Sequence, residues 1–265
     1  MHEILENLPP TALVLDLGCD KGSFPLTATP ATVIRVDRDL RKTTNFVQAD
    51  ATRLPFKNRQ FAAIISNHSL EHFHNYEAAL EEIGRITTDD GAIFIAVPDA
   101  STITDKLYRW LASGGGHVNA FTSPSKTAAS IAQLTGRPLV AAKTLCSSLS
   151  FLNRRNSPRP IPRRLWLLGG GSEWSLFLYV WLSRRLDRWL GTRTSVYGWA
   201  FYFGKVPQPV DTNTWLNVCI RCGSGSPPGA LTIWPAQARR PLSSFLSTWR
   251  CPQCNAANPF TGGGN

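Results

Sequence analysis

"ALVLDLGCDKGSF", residues 12–24, decides the fold. An apolar run closes on Asp16, and Gly18-x-x-x-Gly22 then reads as the opening of a helix. A short buried strand followed by a glycine turn is the outline of a nucleotide-cofactor loop. Where such loops carry a further glycine, this one has Asp20. Aspartate is among the few other residues that tolerate a left-handed backbone, so the turn can survive the replacement.

Working outward, "TVIRVD" (32–37), "FAAIISN" (61–67) and "GAIFIAVP" (91–98) are further apolar runs, with a short strand expected at Phe46–Val47. Between the last two long runs lies "NYEAALEEIGRIT" (75–87), where Ala78, Leu80, Ile83 and Ile86 recur at roughly helical spacing. Strands alternating with helices imply βαβ units and an open parallel sheet, whose ligand lies at the carboxyl ends of the strands. The unusual residues collect there. Asp16 and the Gly18–Gly22 loop end the first strand, Asp37 ends the second, Asp50 follows the short one, and Asn67 and His68 close "FAAIISN". In a dinucleotide fold, an acid about 20 residues past the loop meets the ribose hydroxyls.

"VLDLGCDKG", "IRVD", "QADATRLPF", "FAAIISNHSLEHF" and "ALEEIGRITTDDGAIFIAVP", in that order, resemble the class I S-adenosylmethionine-dependent methyltransferases, specifically the type 11 methyltransferase domain family. The resemblance covers about residues 10 to 145. It implies a Rossmann-like, mostly parallel seven-stranded α/β sheet with the cofactor over strands one to four. It places Asp16 and Gly18 at the methionine end, Asp37 on the ribose, Asp50 and Ala51 against the adenine, and Asn67 beside the methyl-transfer site. Asp20 and Gly22 complete the cofactor set. The methionine end carries an ammonium and a sulfonium, beside which an acid is acceptable, whereas beside a pyrophosphate it is not. Asp20 therefore favours S-adenosylmethionine over NAD.

Displacement at a sulfonium releases its leaving group without protonation. The protein must align the acceptor and, for a hydroxyl or amine, take its proton. "NHSLEHFH" supplies His68, His72 and His74. His68 directly follows Asn67 and is best placed to act; His72 has packing or capping as a competing role, and His74 reads as exposed. His117 stands on the glycine-rich loop of "GGGHVNAFTSPSKTAASIAQLTG" (114–136) as a second base candidate. In the same stretch Thr122 or Ser123 is expected to cap a helix that Gly136 ends.

The net charge of +10 is unevenly placed. Lysine plus arginine against aspartate plus glutamate gives 14 and 15 over residues 1–150, 10 and 2 over 151–205, and 4 and 1 over 206–265. The excess therefore sits in a middle segment that also holds five of the nine tryptophans. That segment has a proline-broken basic loop, "RRNSPRPIPRRLW" (154–166). A helix, "SEWSLFLYVWLSRRLDRWLG" (172–191), follows with Ser172 as N-cap and Gly191 past its end. Its first half is apolar nearly all round, so a cover is expected. "SVYGWAFYFGKV" (195–206) then reads as the last core strand. Three roles compete for this insertion: a substrate lid or subunit contact, docking on an anionic membrane surface, and nucleic-acid binding.

"CIRCG" (219–223) and "CPQCN" (251–255) bring Cys219, Cys222, Cys251 and Cys254, the ligand set of a structural zinc ribbon. Gly223 and Asn255 suit the positive φ of such knuckles, and "ALTIW" with "SFLSTW" is expected to form a hairpin between them. Cys19 and Cys146 read as plain buried residues.

The sequence divides into a cofactor-binding core (1–150), the basic aromatic insertion with the last core strand (151–205) and a zinc-ribbon-like element with a tail (206–265). The expected protein is an S-adenosylmethionine-dependent methyltransferase acting on a small-molecule, lipid-linked or glycan-type acceptor. The alternatives are an RNA methyltransferase and a non-catalytic partner-binding module; a homo-oligomer is compatible with each. "MHEILENLPP" has no leader-like character and the cysteines suit a reducing compartment, so a cytoplasmic protein is expected, with the membrane surface as its peripheral site.

Overall fold

A computed structural model describes residues 1–265 except 112–115, 156–170, 208, 211–213, 227–231, 235–247 and 261–265. Along the chain run α1 (His2–Leu5), β1 (Leu13–Leu17), β2 (Thr32–Asp37), β3 (Phe46–Gln48), β4 (Phe61–Asn67), α2 (Tyr76–Ile86) and β5 (Thr87–Pro98). Next come α3 (Ile103–Leu111), α4 (Pro124–Thr135), β6 (Leu139–Cys146), α5 (Glu173–Leu190), β7 (Val196–Gly204) and β8 (Trp215–Val218). The chain finishes with β9 (Gly225–Ser226), β10 (Thr232–Trp234), β11 (Thr248–Arg250) and β12 (Ala257–Pro259). Two compact units interleave along it. The first is Met1–Ala100, Gly116–Ala142 and Trp199–Thr212; the second is Ser101–Gly115, Lys143–Gly198 and Asn213–Asn265. Both units draw on residues 1–150 and on the insertion.

The strands run β3-β2-β1-β4-β5-β7-β6-β8-β9, a nine-stranded sheet where seven strands were expected, and β1 to β5 lie in the first unit. The pairs β1–β2, β1–β4, β2–β3 and β4–β5 are parallel. The order reverses at β1, flanked by β2 and β4, and a crevice opens outside the carboxyl ends of strands at such a switch point. The apolar runs are buried: Leu15, Leu17, Val36, Ile64, Ile93, Ile95 and Val97 share one core with Leu80 and Ile83 of α2, Ile131 of α4 and Phe201 of β7. Caps set the helix ends. The Asn75 side chain accepts from the Ala78 N–H, that of Ser123 accepts from Lys126, and Gly136 ends α4 at φ 65°.

One expectation fails at the outset. No α-helix follows the Gly18–Gly22 loop; the described chain there has only a 3₁₀ turn, Leu26–Ala28, before β2. Pro25 and Pro30 bracket that turn, and neither can donate the backbone bond that a helix interior needs.

In the second unit, Thr144 and Leu145 of β6 pair in parallel with Trp215 and Leu216 of β8, which pairs antiparallel with β9. α5 has the expected caps: the Ser172 side chain accepts from Ser175, and Gly191 follows at φ 63°. Its Leu176 and Val180 pack with Leu149, Leu152 and Ile220. The expected cover of the helix is one-sided. Trp174, Leu178, Leu182 and Trp189 are exposed by 74, 44, 46 and 62%. Of the basic loop, 156–166 lies outside the described residues. The expected hairpin forms as β10 against β11, with Ile233 opposite Trp249, and β12 adds a third strand. The remainder of "ALTIW" (230–231) and of "SFLSTW" (244–247) is outside the described residues.

Candidate functional site

β1 delivers Asp16 to the switch point as a fully buried carboxylate. Its Oδ2 accepts from the Ser23 N–H at 2.9 Å and stands 3.7 Å from Arg35 Nε. Its Oδ1 is buried and has no hydrogen-bond partner among the described residues. Burial pushes this carboxyl above the ordinary range, against the Ser23 hydrogen bonds and the Arg35 charge. An orphaned carboxylate oxygen is costly, and a donor from a ligand resolves it.

The loop beyond is built for close approach. Gly18 has φ 69°, and a Cβ there would lie 2.3 Å from Ser69 Cβ; at Gly22, with φ 109°, it would lie 2.5 Å from Arg35 Nη2. Asp20 takes φ 41°, the left-handed conformation expected of it. Its N–H donates to Asp37 Oδ2 at 2.9 Å, while the Asp39 N–H donates to Asp37 Oδ1 at 3.0 Å. Arg41 lies 3.3 Å from the Asp20 carboxylate and 3.6 Å from that of Asp37. The Ala49 N–H bonds the Asp37 carbonyl at 3.1 Å and brings the Asp50 turn alongside. There Asp50 Oδ1 accepts from the N–H and hydroxyl of Thr52, both at 2.8 Å, which hold its carboxyl below the usual range. Ala51 is buried. The structure thus gathers Asp16, Gly18, Asp20, Gly22, Asp37, Asp50 and Ala51 at the ends of β1, β2 and β3.

Across the crevice, Asn67 is the last residue of β4, in register with Ala96. His68 turns the chain at φ 54°, an uncommon conformation for a residue with a Cβ, with its N–H on the Ala96 carbonyl. The His68 ring is 3.7 Å from the buried carboxylate of Glu71. The His117 ring packs on His72, centroids 4.8 Å apart. His72 Nδ1 lies 2.9 Å from the Gly116 carbonyl oxygen, which gives that ring a positioning partner. His74 is exposed, as expected.

Three contributors escape the sequence reading. Arg35, a buried cation in β2, spans from Phe24 O (3.1 Å) to Thr43 Oγ1 (2.6 Å) and walls the loop at Gly22. Ser69 fixes the β4 turn against β1, its hydroxyl 2.7 Å from Ser66 Oγ and 3.0 Å from Leu17 O. Glu71 is the third. A charge inside an apolar strand was the available signal for Arg35; nothing local marks the other two.

In the second unit the four cysteines converge. Cys219 and Cys254, and Cys222 and Cys251, have sulfurs 3.6 Å apart. A tetrahedron with Zn–S arms of about 2.3 Å has edges of about 3.8 Å, so the cluster fits zinc. Gly223 and Asn255 take the expected positive φ, 74° and 55°, and their N–H groups return to the carbonyls of Cys219 and Cys251. Asn258 Nδ2 is 3.5 Å from Cys219 Sγ, and Arg221 Nε donates to Glu173 at 2.6 Å, tying the knuckle to α5. Cys19 and Cys146 are buried free thiols, and burial pushes Cys19 up to about 12.

Residues 1–133 match a family described as methyltransferase domain (Methyltransf_23). No curated protein matches the chain. Similar solved folds include a chain of the complex between the Haloferax volcanii Trm112 methyltransferase activator and a methyltransferase (14% identity, 78% of this chain and 88% of that one, TM-score 0.49). Another is a SAM-dependent methyltransferase from Archaeoglobus fulgidus (16%, 72% and 85%, TM-score 0.47). A third is the YcgJ protein of Bacillus subtilis (17%, 74% and 92%, TM-score 0.46). The chain belongs to the methyltransferase domain family.

Proposed function

We propose that this member of the family transfers a methyl group from S-adenosylmethionine to a small-molecule, lipid-linked or glycan-type acceptor. The observation that carries the reading is the unpartnered Asp16 Oδ1, buried beside a loop that leaves no room for a Cβ at Gly18 or Gly22. When bound, S-adenosylmethionine supplies a methyl group on an electrophilic sulfonium. Asp16 accepts from the ammonium of the methionine end, with Gly18, Asp20 and Gly22 forming the wall. Asp37 accepts from the ribose hydroxyls, and Asp50 and Ala51 border the adenine. Asn67 and His68 border the acceptor. His68 takes the proton of an acceptor hydroxyl or amine, and the strained φ at this residue supports a functional role.

The four cysteines hold a structural zinc in this reading, and four thiolates on Zn²⁺ add a net −2 to the C-terminal segment. That weighs against RNA as the acceptor. The exposed stripe of α5 favours lipid instead: Trp174, Leu178, Leu182 and Trp189 share one side of the helix with Arg185, whose guanidinium lies 5.3 Å from the Trp181 ring centre. Among the described residues no helix is long and apolar enough to cross a membrane; in this reading the contact is peripheral, on the cytoplasmic side. The test is incubation with methyl-tritiated S-adenosylmethionine and cell extract, followed by partition of the label. Label in organic-extractable material supports the reading; label in RNA overturns the choice of acceptor.

A further inference from the structure

Beside the acceptor end of the crevice, one carboxylate and two imidazoles meet without a role in holding the cofactor. Glu71 and His72 come from the 3₁₀ turn Leu70–His72 after β4, and His117 from the loop before α4. Their ligand atoms all lie within 4.8 Å of one another. We propose that Glu71, His72 and His117 bind a divalent transition-metal ion, separate from the four-cysteine site.

The backbone holds the three together. The N–H groups of Val118 and Asn119 both donate to the Glu71 carbonyl, at 2.9 and 3.0 Å. Asn119 Nδ2 donates to the carbonyls of Leu70 and Phe73, at 3.0 and 2.7 Å. Four hydrogen bonds thus fasten the His117 loop onto the turn that carries the other two groups. His72 Nδ1 lies 2.9 Å from the Gly116 carbonyl oxygen. Donation to that oxygen fixes the neutral tautomer with Nε2 as its lone-pair atom, the outer-sphere arrangement common to metal-bound imidazoles. The Glu71 side chain is 1% exposed and its Oε1 lies 3.7 Å from His68 Nδ1, so the carboxylate is held in place beside the two ligand imidazoles.

The donor set chooses the ion. Two imidazoles and one carboxylate suit Zn²⁺, Co²⁺, Fe²⁺ or Mn²⁺, whereas Ca²⁺ and Mg²⁺ prefer oxygen shells. A tetrahedral site with arms of about 2.0–2.1 Å has edges of about 3.3 Å. Closing from 4.8 Å takes about 1.5 Å, within reach of rotating two imidazoles. Three protein ligands leave open positions. The site also lies close to the cofactor loop: Ser69, two residues before Glu71, is the side chain that a Cβ at Gly18 would strike. The open position therefore suits an oxygen or nitrogen of the acceptor, whose acidity the ion would raise. That last step rests on the methyltransferase reading; ion binding does not.

The test loads the full chain with one zinc at the cysteines and titrates it with Co²⁺, read by visible d–d absorption. Zinc retains the thiolates, so bound Co²⁺ will show nitrogen–oxygen coordination and no thiolate charge-transfer band. The expected result is one further equivalent in the wild type. His117→Ala and His72→Ala should each weaken it more than about 100-fold, beyond the effect of an outer-shell change. Calorimetry of S-adenosylmethionine on the same samples reports the fold and the cofactor site separately. No Co²⁺ uptake beyond the zinc equivalent overturns the proposal, as does wild-type Co²⁺ affinity in either histidine variant, whatever happens to cofactor binding.

Discussion

Replacing Gly18 with alanine tests the cofactor loop through two energies that a second glycine separates. Gly18 and Gly136 have nearly the same backbone, φ 69° and 65°, but very different surroundings. At Gly136 a Cβ would meet nothing within 4 Å, whereas at Gly18 it would meet Ser69 Cβ at 2.3 Å and Oγ at 2.8 Å. Gly136→Ala therefore incurs only the left-handed conformation, about 1–2 kcal/mol. Gly18→Ala incurs the same and must also displace Ser69, whose hydroxyl is held by Leu17 O and Ser66 Oγ. Overpacking of this kind costs about 1–3 kcal/mol, which includes the loss of hydrogen bonds worth about 1 kcal/mol each. The expected totals are about 1–2 kcal/mol for Gly136→Ala and about 2–5 for Gly18→Ala. Urea unfolding measures both, and hydrogen exchange of the β1 and β4 amides assigns the loss to the first unit. Cofactor affinity should fall only in Gly18→Ala. Equal destabilisation of the two variants would show that the β4 turn does not pack on the loop, and the reasoning about the crevice would fail.

Asp187 clamps the end of α5. Burial raises its pKa, but hydrogen bonds from Ser195, Thr192 and Thr194 outweigh that and hold the carboxyl below the ordinary range. The stability from this depressed pKa is present above the unfolded value, about 3.9. It is lost as pH falls through the lower folded value, so the deficit of Asp187→Asn at neutral pH should shrink on acidification; a pH-independent deficit refutes the clamp. Cys254→Ser, or chelation, should release one zinc per chain and deprotect the amides of β10–β12; native mass spectrometry and hydrogen exchange check both. Trp174→Ser with Trp189→Ser should abolish pelleting with phosphatidylglycerol vesicles while leaving the fold intact by circular dichroism. Unchanged pelleting would remove the lipid reading of α5.

The legible parts of this chain were those where local chemistry dictates geometry. Ser123 and Gly136, and Ser172 and Gly191, bound their helices as read, because an N-cap hydroxyl and a C-terminal glycine answer the same unsatisfied backbone groups everywhere. Gly223 and Asn255 marked the knuckles because few residue types accept their φ. The helix expected after Gly22 failed because the glycine pattern outweighed Pro25 and Pro30 in the reading, whereas in the chain the prolines prevail. The pairing of His117 with His72 was not readable, since it depends on where a crossover returns the chain. The burial of Glu71 and the anchoring of Ser69 are likewise products of the β1–β4 pairing. The first half of α5 was expected to be covered because it is apolar nearly all round; in the structure the Leu176 and Val180 side is buried and Trp174 and Leu178 are exposed.

The central claim is that the crevice at the ends of β1, β2 and β4 binds S-adenosylmethionine. The most direct measurement is calorimetric titration of that cofactor into the zinc-loaded protein, wild type beside Asp37→Ala. Micromolar binding by the wild type, lost in the variant, is the predicted result. No binding to the folded wild type, or equal binding by both, would contradict the account.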